Sequence, residues 1–405
     1  MSKTTRILLI TNSVPLPDTD FLKYKIFGLS QIFDLHVLCW DSDANRQDFY
    51  TKYSDKLKHK NINLFYDKLN ALTVVKLFFI NLLRFVFAPH ISIPLAGKLI
   101  KQYGWDIRKL FIQFTLYYPM LSVKPDIVHF EYGTLAHRFS DIKKFIQCKT
   151  SVSFRGYDLN YVGLEDKGYY NKVWNSFDGF HFLGNDLKKR AIKRGYQTGK
   201  TEALIPPGID TGFFKYDEPQ KTNDKLVIIS VGRLVWKKGY EYGLQAVAIL
   251  KQKNIPFEYR IIADGNYEQP IRFAISELGL ENEVRLLGGK SPEEIRDELS
   301  KADVFLHPAV SEGFSNAVLE AQAMGLPVIT TGADGLSENI QDGLTGFVVP
   351  VYNTAAMADK LEWCYTNKDK LEVMGKAGVE RVLNNFRIEG QVKKFEEFYN
   401  KLNEG

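Results

Sequence analysis

The stretch ADVFLHPAVSEGFSNAVLEAQAMGLPVITT (Ala302–Thr331) reads as strand, loop, helix and strand in one pass. DVFLHP is a short apolar run that Pro308 ends, Gly313 and the serines punctuate AVSEGF, and Ser315 is a good N-cap for the helical run NAVLEAQAM. Gly325 is a natural stop for that helix, Pro327 prevents its continuation, and PVITT returns to a β-branched run. Strand, helix and strand in this order form the repeating unit of a parallel sheet covered by helices. Glu312 falls in the loop and Glu320 one turn inside the helix, while the backbone N–H groups of Asn316, Ala317 and Val318 point back toward the loop. A helix start attracts anions, phosphates above all, so the three parts are expected to surround one ligand.

Outward from this stretch the same alternation runs through the chain in two series. The first comprises RILLI (Arg6–Ile10), LHVLCW (Leu35–Trp40), DIVHF (Asp126–Phe130), SVSF (Ser151–Phe154), GFHFL (Gly179–Leu183) and ALIPPG near Ala203. The second comprises KLVIISVGRL (Lys225–Leu234), EYRIIADG (Glu258–Gly265), EVRLLG (Glu283–Gly288), DVFLHP, PVITT and GFVVP (Gly346–Pro350). Between them FKYDEPQKTND is polar and without periodicity, which places a domain boundary within Pro206–Asp224. A length of 405 residues also exceeds what one core supports. The expected division is 1–205, 206–384, and a helical tail over 385–405.

Taken alone, Glu312 and Glu320 also suit solvated acids at a helix start. GFSNA resembles the G-x-S-x-G turn of serine hydrolases, but a loop separates Ser315 from the strand and no histidine follows His307, so that reading fails. VGRLVWKKGY places Gly232 and Arg233 at the end of a strand and Lys238 five residues on. Ligands of open α/β sheets bind beyond the carboxyl ends of the strands, so Arg233, Lys238 and the 312–320 segment should face one crevice. Two cations, a helix start and a carboxylate suit a nucleoside diphosphate.

A net charge of +5 without lysine or arginine runs gives no sign of a nucleic-acid partner. Cys39, Cys148 and Cys364 are odd in number and scattered, which indicates neither a disulfide framework nor a zinc site. The apolar run near the N-terminus is too short for a signal-peptide core, so a cytoplasmic location is expected. One segment, 69–118, stands apart: it contains LTVVKLFFINLLRFVFAPH and carries Asp106 as its sole acid. Lys76, Asn81 and Arg84 interrupt it too often for a spanning helix. It fits equally a buried helical insertion and a basic, aromatic face resting on an anionic membrane surface, on the inner side of the membrane.

The sequence resembles glycosyltransferase family 4, whose members are retaining, nucleotide-sugar-dependent enzymes. SVGRLVWKKGYE, LGLENEVRLLGGKSPEEI, the Ala302–Thr331 stretch and SENIQDGLTGFVVP carry the resemblance, with IPPGIDTGFF and PDIVHFEYG in the first half. It implies an α/β GT-B fold, in which two Rossmann-like domains hold parallel sheets facing a central cleft. It implies no cofactor and no metal, a nucleoside diphosphate sugar as co-substrate, and a glycan or lipid-linked acceptor in cell-surface polysaccharide or glycolipid assembly. By motif, Glu320 is the second glutamate of an E-x7-E signature and would bind the ribose hydroxyls. Arg233 and Lys238 match the pair that grips the diphosphate, completed by Gly232 and the amides at Ser315, Asn316 and Ala317. Glu312, with the backbone of Gly313 and Phe314, would contact the transferred sugar, and Lys290 of the GGK turn would border the base. Family members carry the 385–405 tail back to the first domain. His129 would be catalytic, or else a partly buried strand-end residue.

The acceptor side departs from the family pattern. Where relatives have H-x-H, this chain has His129 and Glu131; where many have a histidine, it has Arg155, although Gly156, Tyr157 and Asp158 keep the pattern. The rival functions are a phosphorylase or nucleotide-sugar epimerase on the same scaffold, a metal-dependent transferase using DSD (Asp41–Asp43) or DTD (Asp18–Asp20), and a membrane-surface scaffold protein.

Overall fold

Short β-branched runs buried on both faces build two all-parallel sheets, because each strand must cross over through a helix to meet the next. The computed structural model describes residues 4–15, 22–66, 70–216 and 224–405. The chain divides into two compact units: Met1–Phe182 with Lys188–Ile205 and Val392–Gly405, and Pro206–Gln391 with Leu183–Leu187.

The first unit holds strands β1 (Arg6–Ile10), β2 (Asp34–Cys39), β3 (Ile62–Leu64), β4 (Ile127–Phe130), β5 (Lys149–Phe154), β6 (Gly179–Phe182) and β7 (Thr201–Leu204). Their order is β3-β2-β1-β4-β5-β6-β7, all parallel, with Ile7 opposite both Leu35 and Ile127. β3, three residues long, is too short to show as a periodic run in the sequence. Part of the C-terminal Ile388–Glu404 helix packs in this unit, where Val392 seats on Gly28 so closely that a Cβ there would lie 2.3 Å from a valine methyl.

The second unit holds β8 (Leu226–Arg233), β9 (Phe257–Asp264), β10 (Val284–Gly288), β11 (Val304–His307), β12 (Val328–Thr331) and β13 (Gly346–Val349), ordered β10-β9-β8-β11-β12-β13 and again parallel. Successive residues of β8 alternate between its two cores: Leu226 and Ile228 join Leu244, Val247 and Leu306 on one face, Val227 and Ile229 join Phe305, Val318 and Leu299 on the other. In each sheet the strand order reverses once, between β1 and β4 and between β8 and β11. That reversal opens a crevice past the carboxyl ends of the strands.

The 69–118 segment is not a buried insertion. Residues 71–123 form three helices, Ala71–Phe87, Pro89–Tyr103 and Ile107–Val123, the first two bent by 117° at their junction. In the first of them the buried residues are Leu77 and Asn81 alone. Among the described residues no single helix is long and apolar enough to cross a membrane.

Candidate functional site

At the reversal between β8 and β11 the structure brings Lys238 and Glu312 together, with Arg233 at the end of β8. Arg233 ends β8, exposed and without an ion pair among the described residues. After a single turn at Trp236–Lys238 the chain reverses at Gly239, whose φ of +63° and the carbonyl of Pro308, 2.3 Å from where a Cβ would lie, both require glycine. This turn aims Lys238 back over Gly232, where a Cβ would sit 3.5 Å from Lys238 Cε. Lys238 Nζ pairs with the carboxylate of Glu312. Burial pushes the Glu312 carboxyl up, but Lys238 and His307 outweigh it and hold it below the usual range.

The loop after β11 is fixed by groups that the sequence reading did not single out. Asp334 Oδ2 accepts from Ser311 Oγ at 2.5 Å and from the Glu312 amide at 3.1 Å. Asn339 bridges the Ser315 peptide: its Oδ1 accepts the Ser315 N–H at 3.1 Å and its Nδ2 donates to the Ser315 carbonyl at 2.9 Å. Gly335 lies so close that a Cβ would meet the Gly313 carbonyl at 2.1 Å. Asp334 and Gly335 lie just before the SENIQDGLTGFVVP motif and Asn339 is its third residue.

Ser315 caps the Asn316–Ala323 helix by accepting from the Val318 amide, so that amide and its own N–H are both engaged. The amides of Asn316 and Ala317, first in the helix, have no partner among the described residues. Phe314 is buried with its ring against Phe386. Glu320 has no hydrogen-bond partner among the described residues, and burial alone pushes its carboxyl up to about 7. Lys290 follows β10 and bonds Glu294 at 3.2 Å, in a turn where Gly288 takes φ +69°. His307, buried at the end of β11, has an Nε2 with no partner among the described residues; burial, then Lys238, lower its pKa to about 3. A lone carboxylate, two cations and two free amides suit a ligand carrying both hydroxyls and a diphosphate.

In the first unit the acceptor-side residues meet at the β1–β4 reversal, in a closed arrangement. His129 is 0% exposed; Nδ1 lies 2.8 Å from Ser151 Oγ and Nε2 lies 2.8 Å from Ser153 Oγ. Burial, then the Lys25 charge, hold its pKa well below the usual value. It is therefore an enclosed neutral ring. Glu131, also 0% exposed, takes Lys25 Nζ at 2.5 Å and Arg155 Nη2 at 2.8 Å. Lys25 lies 3.7 Å from the centre of the Phe395 ring, and burial, opposed by Glu131, lowers its pKa to about 8. Asp158 is occupied as well, its two oxygens accepting the Thr134 and Arg155 amides at 3.1 and 2.9 Å. The sequence reading missed Lys25, because nothing in its helix distinguishes it from a surface lysine.

Of the two acidic triplets, Asp41 accepts from the Val14 and Ser42 amides and from Asn45 Nδ2, and Asp43 pairs with Arg46. Both serve the turn and helix start that follow β2. Asp18–Asp20 lies outside the described residues.

Residues 214–381 match the family model for glycosyl transferases group 1. The chain is 31% identical over 270 residues to the amylovoran biosynthesis glycosyltransferase AmsK of Erwinia amylovora, an alignment covering 64% of this chain and 66% of that protein, just under two thirds of its length. It is 28% identical over 302 residues to the putative colanic acid biosynthesis glycosyltransferase WcaL of Escherichia coli K12, covering 71% of this chain and 73% of that one. Among solved structures, Anabaena HepE in complex with UDP superposes with a TM-score of 0.71 at 15% identity, over 98% of this chain and 100% of that one, a likeness of fold. The chain thus has two parallel α/β units of the GT-B kind, and residues 214–381 of the second unit are similar to the glycosyl transferases group 1 family.

Proposed function

We propose that the protein is a retaining, metal-independent hexosyltransferase that moves a sugar from a nucleoside diphosphate sugar to a glycan or lipid-linked acceptor, in the assembly of a cell-surface polysaccharide or glycolipid. The observation that carries this reading is Glu320: a desolvated carboxylate without a partner among the described residues, one turn from a helix start whose first two amides have none there either. Such a carboxylate is unfavourable until hydroxyls bond it, and each bond to a charged group contributes about 1.5–3 kcal/mol. A ribose supplies two hydroxyls, and its diphosphate then reaches the amides of Asn316 and Ala317, Arg233 and Lys238.

In the transfer, the bond between the sugar's anomeric carbon and the β-phosphate oxygen breaks, and negative charge grows on that oxygen. Lys238, held over Gly232, and Arg233 stabilise it; Lys238 shifts from the Glu312 carboxylate to the phosphate, which frees Glu312 for hydroxyls of the sugar. The acceptor hydroxyl attacks on the face from which the phosphate departs, and the phosphate takes its proton. AmsK and WcaL, named for polysaccharide biosynthesis, support this class of acceptor.

A thermal-shift screen across UDP-, GDP- and ADP-sugars tests the reading. One donor should raise the melting temperature, since a ligand at a hundredfold its Kd stabilises by about 2.7 kcal/mol. No shift with any of them overturns it. Product analysis then separates transfer from phosphorolysis and from epimerisation of the donor.

A further inference from the structure

The Ala71–Phe87 helix is built inside out. Its inward side carries polar groups: Asn81 Nδ2 donates to Thr115 Oγ1 at 2.8 Å, and Arg84 donates to Asn81 Oδ1 at 2.8 Å while lying 4.4 Å from the centre of the Tyr118 ring. Its outward side carries Val75, Phe79, Leu82, Leu83, Val86 and Phe87, all exposed. The pattern is the reverse of a helix that packs in water, where the apolar stripe turns inward. Trp105, between the second and third helices of this segment, and Ile107, the first residue of the third, are each 79% exposed.

An apolar groove of about 400 Å³ opens on the same face, with Phe78, Leu82 and Phe85 on one wall and Ile100, Trp105 and Ile107 on the other. Monomeric proteins in water rarely expose a continuous apolar surface of this kind. Charge identifies what covers it. Residues 70–123 carry six lysines and arginines and a single acid, Asp106, and Lys76, Arg108 and Lys109 are exposed among the apolar residues. Two copies of such a face would bring like charges together, whereas the phosphates of a lipid leaflet complement it. The 17 residues of the first helix and its 117° bend into the second suit a segment that lies within one leaflet rather than crossing the bilayer.

We propose that the Ala71–Tyr103 helix pair and the Trp105–Ile107 turn form a monotopic docking surface for an anionic lipid leaflet. Phe79, Leu83, Val86 and Phe87 enter the hydrocarbon, the groove takes part of an acyl chain, and Lys76, Arg108 and Lys109 meet the lipid phosphates. The experiment is flotation of the full-length protein with vesicles of phosphatidylcholine alone and of phosphatidylcholine mixed equally with phosphatidylglycerol. The wild type should float with the mixed vesicles and bind the neutral ones roughly tenfold less. The triple variant Phe79→Ser, Leu83→Ser, Val86→Ser, whose changed side chains point outward, should stay at the bottom with an unchanged melting temperature. The double variant Arg108→Glu, Lys109→Glu should lose the preference for anionic vesicles. A wild type that stays at the bottom with both vesicles, or a triple variant that floats as the wild type does, overturns the proposal. A dimeric wild type that does not float, made monomeric by the triple variant, also overturns it and assigns the face to a second copy.

Discussion

The two strand-order reversals in this molecule carry similar charge and treat it in opposite ways. At the β1–β4 reversal, Glu131 is fully buried and satisfied by Lys25 and Arg155, and His129 has both ring nitrogens within hydrogen-bond distance of serines. At the β8–β11 reversal, Arg233 and Glu320 are without partners among the described residues, and one ion pair, Lys238 with Glu312, closes part of the crevice. Topology provides a crevice in both places. Whether it can act as a site depends on whether the protein itself answers the polar groups there, because a satisfied buried network resists exchange and an unsatisfied one gains by binding.

The largest expected effect falls on the closed side. Glu131→Ala leaves Lys25 buried without its counter-charge and should cost about 3–5 kcal/mol of stability, read by denaturant melting, with donor affinity of the folded protein unchanged. An unchanged melting curve would mean that the first network is not structural, and the contrast would collapse. On the open side, Lys238→Ala should keep the fold and lower turnover about 10²–10³-fold in a transfer assay. A rate within a few-fold of wild type would remove Lys238 from the reaction.

Glu320→Gln sharpens the contrast through two opposite changes. Burial raises the Glu320 carboxyl to about 7, so the folded protein holds that proton more tightly than the unfolded chain does. Stability is therefore lost as pH rises from the ordinary glutamate value of 4.5 to about 7, and no more is lost above. The Gln variant escapes that loss. Without ligand it should be more stable than wild type above neutral pH by on the order of 1–3 kcal/mol, while binding the donor more weakly. A variant no more stable at high pH would show that Glu320 is already satisfied. The smallest effect is on wild-type donor affinity, which should strengthen several-fold from about pH 6 to about pH 8 as Glu320 ionises, and stay flat in Glu320→Gln. Isothermal titration across that range checks both.

How much of this was legible in sequence differs between the units. In the second unit, β8 to β13 follow the apolar runs to within a residue at their starts, and SEGFSNAVLE showed the cap, the helix and both glutamates. Capping and strand periodicity are local, so a short window suffices to read them. In the first unit the strands were equally visible except β3, but nothing in HFE and SFRGYD, which resembled an acceptor site, signalled that His129, Glu131 and Asp158 are buried. Lys25 approaches Glu131 across 106 positions, and Phe395 closes over it from the far end of the chain. No window contains that pair.

The sequence by itself determined the strand and helix alternation, the two parallel sheets and the placement of Arg233 at a strand end and of Glu312 and Glu320 about one helix start, since each follows from spacing along a few dozen residues. Tertiary structure decided which charges are answered by the protein and which are left open. It enclosed His129, assigned Asp334 and Asn339 to hold the loop, and turned the apolar side of the Ala71–Phe87 helix outward. The physical reason is that a polar or apolar side chain has no fixed energetic sign until its partner is known, and these partners come from distant parts of the chain.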